Sequence, residues 1–263
     1  MKRIAFLALV FCASFFNLLA KPRVSIITSM YKGDDFIESF LADMTRQTIF
    51  DQCELIIINA NSPGNEEKVI KNYMQQFSNI IYVKLGYDPG IYAVWNMAIR
   101  LASADLVTNA NLDDRRNPDI VRIHAEALEH DQLVDLVYSN YYLCDYPNEP
   151  FETDKEKFTV NMHEFKPTRM NWCLPDRAPM WRKSMHQKYG YFDETFFSAG
   201  DWEMWNRAVS QGSVFKKVNA FAGVFYWNPQ GLSTDKSDTL KVQRNKEEGQ
   251  RVIQQYQKYW VYE

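Results

Sequence analysis

Two short acidic stretches carry the residue types that could do chemistry. Asn109-Ala110-Asn111-Leu112-Asp113-Asp114 sets paired carboxylates beside asparagine amides, directly after an apolar run. Hard oxygen donors of this kind suit Mg2+ or Mn2+, which one or two carboxylates hold together with substrate phosphates. A solvated turn whose aspartates cap a helix opening near Pro118 fits the same residues. The second stretch is Ser198-Ala199-Gly200-Asp201-Trp202-Glu203-Met204-Trp205. A carboxylate on a site wall can take the proton from a substrate hydroxyl, an effect on the order of 10² to 10⁴ in rate. At the start of a helix Asp201 could equally be an N-cap. Trp202 and Trp205 could stack on a sugar ring, although core packing suits at least one of them.

Those stretches need a scaffold, and the apolar pattern supplies one. Residues 24–27 read as a strand. Asp34 or Asp35 can cap a helix whose apolar positions Phe36, Ile37, Phe40, Leu41 and Met44 follow a period of 3.6. Leu55-Ile56-Ile57-Ile58 is a continuous apolar run, the mark of a strand covered on both faces. Val69, Ile70, Tyr73 and Met74 form the next helical face, and residues 80–85 a third strand. Residues 91–101 read as a helix, 106–108 as a short strand, and 133–138 as another, after a helix from Pro118 to about Glu129. This alternation predicts an α/β, Rossmann-like fold with a mainly parallel central sheet flanked by helices. Ligands bind such sheets beyond the carboxyl ends of the strands. The polar segments 29–35, 59–65, 86–90 and 109–116 are therefore the candidate site walls. Residues 139–177 lose the rhythm, with prolines, mixed charge and aromatics that need burial. Beyond them 181–189 and 201–211 read as helices, the latter stopped by Gly212, 215–218 as a strand, and 237–259 as a polar amphipathic helix.

At 263 residues there is room for one large α/β domain or two small ones. A net charge of −3 gives no global positive field, which argues against nucleic acid as a partner, so a nucleotide would be held by local chemistry. Met1-Lys2-Arg3 precedes the nearly unbroken apolar residues 4–20. That segment reads as a signal peptide or signal anchor and predicts an exported or membrane-anchored protein, cytoplasmic only if the segment is not used. Cys53, Cys144 and Cys173 allow one disulfide or three buried thiols.

Several segments, taken in order, resemble the inverting family-two glycosyltransferases with the GT-A fold. Val24-Ser25-Ile26-Ile27-Thr28-Ser29-Met30-Tyr31 is similar to their first strand and nucleotide loop. Asp88-Pro89-Gly90-Ile91-Tyr92, with Asn96 following, resembles an Asp-x-Gly-Ile-Tyr-x-x-x-Asn segment, and Asn111-Leu112-Asp113-Asp114 the DxD region. Arg182-Lys183-Ser184, Gly190-Tyr191-Phe192-Asp193-Glu194 and Gly200-Asp201-Trp202-Glu203-Met204-Trp205 resemble the acceptor-side signature. The resemblance implies that Ser29, Tyr31, Asn59, Asn61, Asp88, Asn96 and Asn111 surround a nucleotide sugar, with Tyr31 flanking the base. It implies that Asp113, with Asp114, holds Mn2+ or Mg2+ at the diphosphate, that Trp202 and Trp205 meet the acceptor, and that Asp201 is the base of an inverting displacement. The GT-A domain would run over 24–235, with a nucleotide-sugar half at 24–138, an acceptor half at 139–235 and a C-terminal helix at 236–263.

Three positions depart from that pattern. Asn59-Ala60-Asn61-Ser62 stands where the family usually places paired aspartates, which leaves uridine against guanosine open, with a UDP-sugar slightly ahead. Asn111 replaces the first DxD acid, and Asn228 replaces a His that often binds metal. These asparagines and the apolar leader also fit a non-catalytic GT-A-like protein that binds a glycan or nucleotide sugar. A nucleotidyltransferase would want a Gly-rich basic phosphate loop, and residues 29–35 offer only Lys32 and Gly33.

Overall fold

The computed structural model describes residues 21–153 and 157–260. In the first half strands and helices alternate as the periodicity requires. β1 (Val24–Met30) leads to α1 (Ile37–Thr45), β2 (Cys53–Asn59) to α2 (Glu66–Met74), and β3 (Ile80–Lys84) to α3 (Ile91–Leu101), before β4 (Leu106–Asn109). These four strands are parallel, in the order β3-β2-β1-β4. Every residue of β2 is buried, as a strand covered on both faces must be.

The second half is built differently. β5 (Arg115–Arg116), α4 (Ile120–His130), β6 (Leu136–Cys144), β7 (Phe158–Val160), β8 (Met180–Arg182), α5 (Met185–Tyr189), α6 (Gly200–Ser210), β9 (Phe215–Tyr226) and α7 (Thr239–Tyr256) follow in turn. β8 lies antiparallel between β4 and β6, while β9 runs parallel to β6. β5 and β7 pair antiparallel with β9 and β6. Among the described residues one nine-stranded sheet therefore spans both halves, parallel at the β3 end and mixed beyond β4. The α/β architecture with helices flanking a central sheet matches the expectation; the antiparallel insertions lie in the stretch where the rhythm failed.

Local readings differ in four places. Residues 181–189 are not one helix: Met180 and Trp181, both fully buried, fill the gap between β4 and β6 as β8, and α5 starts only at Met185. Asp34 and Asp35 do not cap α1, whose N-cap is Phe36; Asp34 accepts the Asn65 N–H instead, at 2.8 Å. Asp119, not the acidic pair, is the N-cap residue of α4. The strand foreseen at 215–218 continues to Tyr226 because Gly223 lets β9 close on β5: a Cβ there would stand 2.1 Å from the Arg115 carbonyl oxygen. Cys53, Cys144 and Cys173 are free thiols.

The expectation of export or anchoring is corrected. The apolar segment that carried it, residues 4–20, lies outside the described residues, and among those described no helix is long and apolar enough to cross a membrane.

Candidate active site

The loops after β1 and β2 are tied together by one buried carboxylate. Glu66, without solvent exposure, accepts the Gly33 N–H at 2.7 Å and the Ser62 hydroxyl at 2.6 Å through Oε1. The Ser62 hydroxyl in turn accepts the Lys32 N–H at 2.9 Å. Lys32 and Asn61 both hold positive φ, 52° and 58°, so each loop turns sharply beside its strand end. Tyr31 and Asn61 are left exposed there, with the Lys32 ammonium 5.3 Å from the Tyr31 ring centre, and Ser29 is half-buried at the end of β1. Asn59 is different. It is buried, its Oδ1 accepts the Ser62 N–H at 2.7 Å and its Nδ2 donates to the Tyr82 hydroxyl at 2.9 Å, so both ends of its amide are engaged within the protein.

Two more residues named for the donor have separate fates. Asp88 is exposed, and its Oδ1 accepts the Gly90 N–H at 2.9 Å just before α3. Asn96, in α3, is 1% exposed and spends both ends of its amide on the loop before α6: it donates to the Phe192 carbonyl and to Glu194, and accepts the Phe192 N–H. Asn96 joins α3 to that loop and does not line a ligand cleft.

The acidic turn sits between β4 and β5, with β9 against it. Asp113 is half-buried, and its Oδ2 accepts the Asn228 amide at 3.0 Å. Asp114 is buried; it accepts the Asn111 amide at 3.0 Å and the Tyr226 N–H at 3.3 Å. Burial, with Asp113 beside it, pushes the Asp114 carboxyl up to about 7. Beneath the turn, Arg115 and Arg116 are buried and donate to backbone carbonyls, those of Leu112 and Asn109 among them. Among the described residues no group of three His, Cys, Asp or Glu side chains gathers to hold a metal ion.

Asp201 lies in the first turn of α6 and is not its N-cap residue. The N-cap is Ala199, which makes no side-chain bond. In the loop that leads into the helix, the N–H groups of Phe197, Ser198 and Ala199 are taken by Glu248 of α7, at 2.6, 2.9 and 3.1 Å. Asp201 Oδ1 accepts its neighbour Trp202's N–H at 2.8 Å and the Tyr92 hydroxyl at 3.2 Å, and Cys173 Sγ stands 3.9 Å from Oδ2. Gly200 permits the Tyr92 contact, since a Cβ there would fall 2.7 Å from the Tyr92 ring. Burial raises the Asp201 carboxyl to about 6, with Asp176 adding to the rise. The two tryptophans divide. Trp205 is 1% exposed and packs in the core against Trp181 and Phe192, so its ring offers no open face. Trp202 is half-buried, donates its indole N–H to the Met170 carbonyl at 2.8 Å and stacks on Trp260.

Charges in the loop before β8 respond to the acidic turn and act on Asp201. Arg177, in the loop before β8, loses from burial but gains more from Asp176, Asp114, Tyr141 and Asp113, so its charge is firmly held. Asp176, next in the chain, in turn acts on Asp201. The loop before β8 thus feels both carboxylate stretches: its Cys173 stands against Asp201, and the charge of its Arg177 is raised by Asp113 and Asp114.

The pattern of Glycosyl transferase family 2 matches residues 25–195, well over half of the chain. The chain belongs to this family. Similar family members include the uncharacterized glycosyltransferases MJ1057 of Methanocaldococcus jannaschii, 24% identical over 205 residues (76% of this chain and 69% of that protein), and YwdF of Bacillus subtilis, 22% identical over 212 residues (80% and 76%). As a family-2 member the protein is a nucleotide-sugar-dependent glycosyltransferase. Among solved structures, S. aureus TarS 1–349 in complex with UDP-GlcNAc superposes with a TM-score of 0.67 at 14% identity, covering 89% of this chain and 71% of that one. The mannosyltransferase PcManGT of Pyrobaculum calidifontis, in complex with GDP-Man and Mn2+, gives 0.62 at 14% identity, covering 81% and 59%. This chain spans 37% of the longer TarS chain. These likenesses speak for the fold, which is GT-A.

Against that family frame, five residues escaped the sequence reading: Glu66, Tyr92, Asp176, Arg177 and Glu248. Tyr92 lay inside a recognised motif and could have been found there. The others act through contacts across the fold, and nothing local marks them.

Proposed function

We propose that the protein transfers a sugar from a nucleotide-sugar donor to an acceptor hydroxyl in one inverting displacement, with Asp201 as the base. The observation that carries this is the state of Asp201: the Trp202 N–H and the Tyr92 hydroxyl fix its Oδ1, Glu248 secures the loop that leads into α6, and burial poises the carboxyl at about 6. A base of that strength is ionised at neutral pH and strong enough to accept a proton as the acceptor oxygen attacks. Tyr92 and the Trp202 N–H hold its Oδ1, while Oδ2 has only the long Cys173 thiol contact and would be the atom that takes the proton of the incoming hydroxyl.

The nucleotide would lie over the loops that Glu66 clamps, with exposed Tyr31 beside the base and Ser29, Asn61 and Asp88 around it. A uridine diphosphate donor is preferred over a guanosine one, since Asn61 offers an uncharged amide where a charged grip is absent; TarS binds UDP-GlcNAc, whereas PcManGT binds GDP-Man. Asn59 and Asn96 support the walls, and Trp202 offers the aromatic edge for an acceptor.

Mn2+ or Mg2+ fits the acidic turn in the reduced form that such ions accept, one carboxylate plus the donor's phosphates. Asp113 would hold it with its uncommitted Oδ1, because Oδ2 is engaged by Asn228 and Asp114 is buried and bonded within the turn. A cation there offsets charge on the departing nucleoside diphosphate.

The test is release of nucleoside diphosphate from UDP- and GDP-sugars across an acceptor panel, with and without Mn2+. Asp201→Asn should lower turnover by at least ~10² while donor binding persists. Undiminished turnover in that variant refutes the assignment of the base. Donor binding without turnover in either form favours a carbohydrate-binding role instead.

A further inference from the structure

We propose that Arg177 is a catalytic residue that contacts the donor's diphosphate and carries part of the positive charge the leaving group requires. This rests on the nucleotide-sugar reading above and adds a ligand contact to it. Arg177 is held in an unusual backbone. Its neighbours on both sides, Asp176 and Ala178, adopt left-handed conformations with φ of 37° and 50°, which side-chain-bearing residues reach only at a cost. Such strain persists where the surrounding structure enforces it, and here the Tyr141 hydroxyl bonds the Asp176 carboxylate while Tyr141 itself is buried in β6.

A structural role alone would give the guanidinium paired hydrogen bonds to a carboxylate. The geometry differs. Nε of Arg177 is buried without a hydrogen-bond partner, and Asp176 Oδ1 stands 3.5 Å from it, outside hydrogen-bonding geometry. The guanidinium carbon stands 5.8 Å from the centre of the Phe225 ring, and the next residue of β9, Tyr226, gives its N–H to Asp114, so the charge lies by the strand end that holds the acidic turn; Asp113 and Asp114 as well as Asp176 act on it. A planar, permanently charged fork in that position suits an anion with oxygens in pairs. The need for it is local. Asn111 and Asn228 stand at the acidic turn and leave Asp113 as its one partly free carboxylate, so a fixed charge from the chain complements a thinly held cation. In the step itself the bond from C1 to the diphosphate oxygen breaks with its electron pair on that oxygen. The acceptor oxygen bonds to C1, its proton passes to Asp201, and Arg177 remains protonated throughout.

The experiment measures binding, not turnover. UDP, GDP, uridine and guanosine are titrated by NMR into wild type, Arg177→Gln and Arg177→Lys, all in EDTA. In wild type the preferred diphosphate should bind more tightly than its nucleoside. Arg177→Gln should weaken diphosphate binding by at least ~10-fold and leave the nucleoside unchanged, with Arg177→Lys between the two. An unchanged diphosphate affinity in Arg177→Gln overturns the proposal and leaves the donor reading standing. Equal loss of nucleoside and diphosphate assigns Arg177 to the fold and overturns it too. Binding that appears only when Mn2+ replaces EDTA overturns this proposal and leaves the donor reading standing, and failure of wild type to bind any of the four under either condition sinks both.

Discussion

The two halves of the sheet solve the same problem, presenting side chains at one edge, by opposite means. Around β1 to β4 the strands are parallel and regular, and the loops after β1 and β2 are held by the single carboxylate of Glu66. Around β6, β8 and β9 the pairing is mixed, β6 and β9 slip register, and the placement of charge falls to an arginine between two left-handed residues and to a glutamate from α7. Regular elements position donors of hydrogen bonds cheaply. Isolated charges in partly buried ground need dedicated partners, which come from far along the chain.

The sharpest break between the halves is kinetic. Asp201→Asn should reduce kcat by ~10² to 10⁴ and leave donor affinity nearly intact. In the wild type, kcat should fall as pH drops through about 6, because the protonated carboxyl cannot act as base. A limb near 4 would show that the burial of Asp201 does not matter to the reaction.

Removing the Glu248 clamp on the loop before α6 should come next. Glu248→Ala leaves three backbone N–H groups without their acceptor, a loss of about 2 kcal/mol in unfolding free energy, read by denaturant titration. It should also lower kcat more than it raises donor KM. In the first half the reverse is expected. Glu66→Gln, which weakens the Gly33 and Ser62 contacts, should raise donor KM by about fivefold with kcat held within about twofold. If both variants changed the same parameter, the division of labour between halves would be wrong.

The smallest effect is one of stability. The Asp201 carboxyl titrates higher in the folded chain than its unfolded value of about 3.9, so its charge opposes folding above the folded pKa and ceases to do so below the unfolded one. Asp201→Asn should therefore stabilise the protein by about 1 kcal/mol at pH 8, allowing for partial exposure, and by nothing near pH 3. A less active but more stable variant is the signature of a strained site.

Much of the first half was legible because burial there is periodic. The α3 helix at Ile91–Leu101 and the apolar run inside β2 follow directly from their patterns. Asp113 and Asp201 were legible as residue types, and their company was not. Asn96 and Trp205 carry the right chemistry for ligands yet are turned inward, because a polar amide satisfied across 96 residues looks the same in sequence as a free one. Trp181 was read as helical because nothing nearby reveals that β4 and β6 leave a strand-sized gap. Arg177 depends on two backbone angles, and Glu248 on the docking of α7 against α6; neither has a local trace.

The grip of α7 on residues 197–199 has a consequence for the order in which the molecule matures. Every strand of the sheet precedes Thr239 in the chain, so a nascent polypeptide can assemble its whole platform before the glutamate that orients α6 has been synthesised. Competence to hold the sugar carrier would then arrive earlier than competence to activate the attacking alcohol. A nick between Tyr226 and Thr239 that let the last helix drift away would return the enzyme to that juvenile condition.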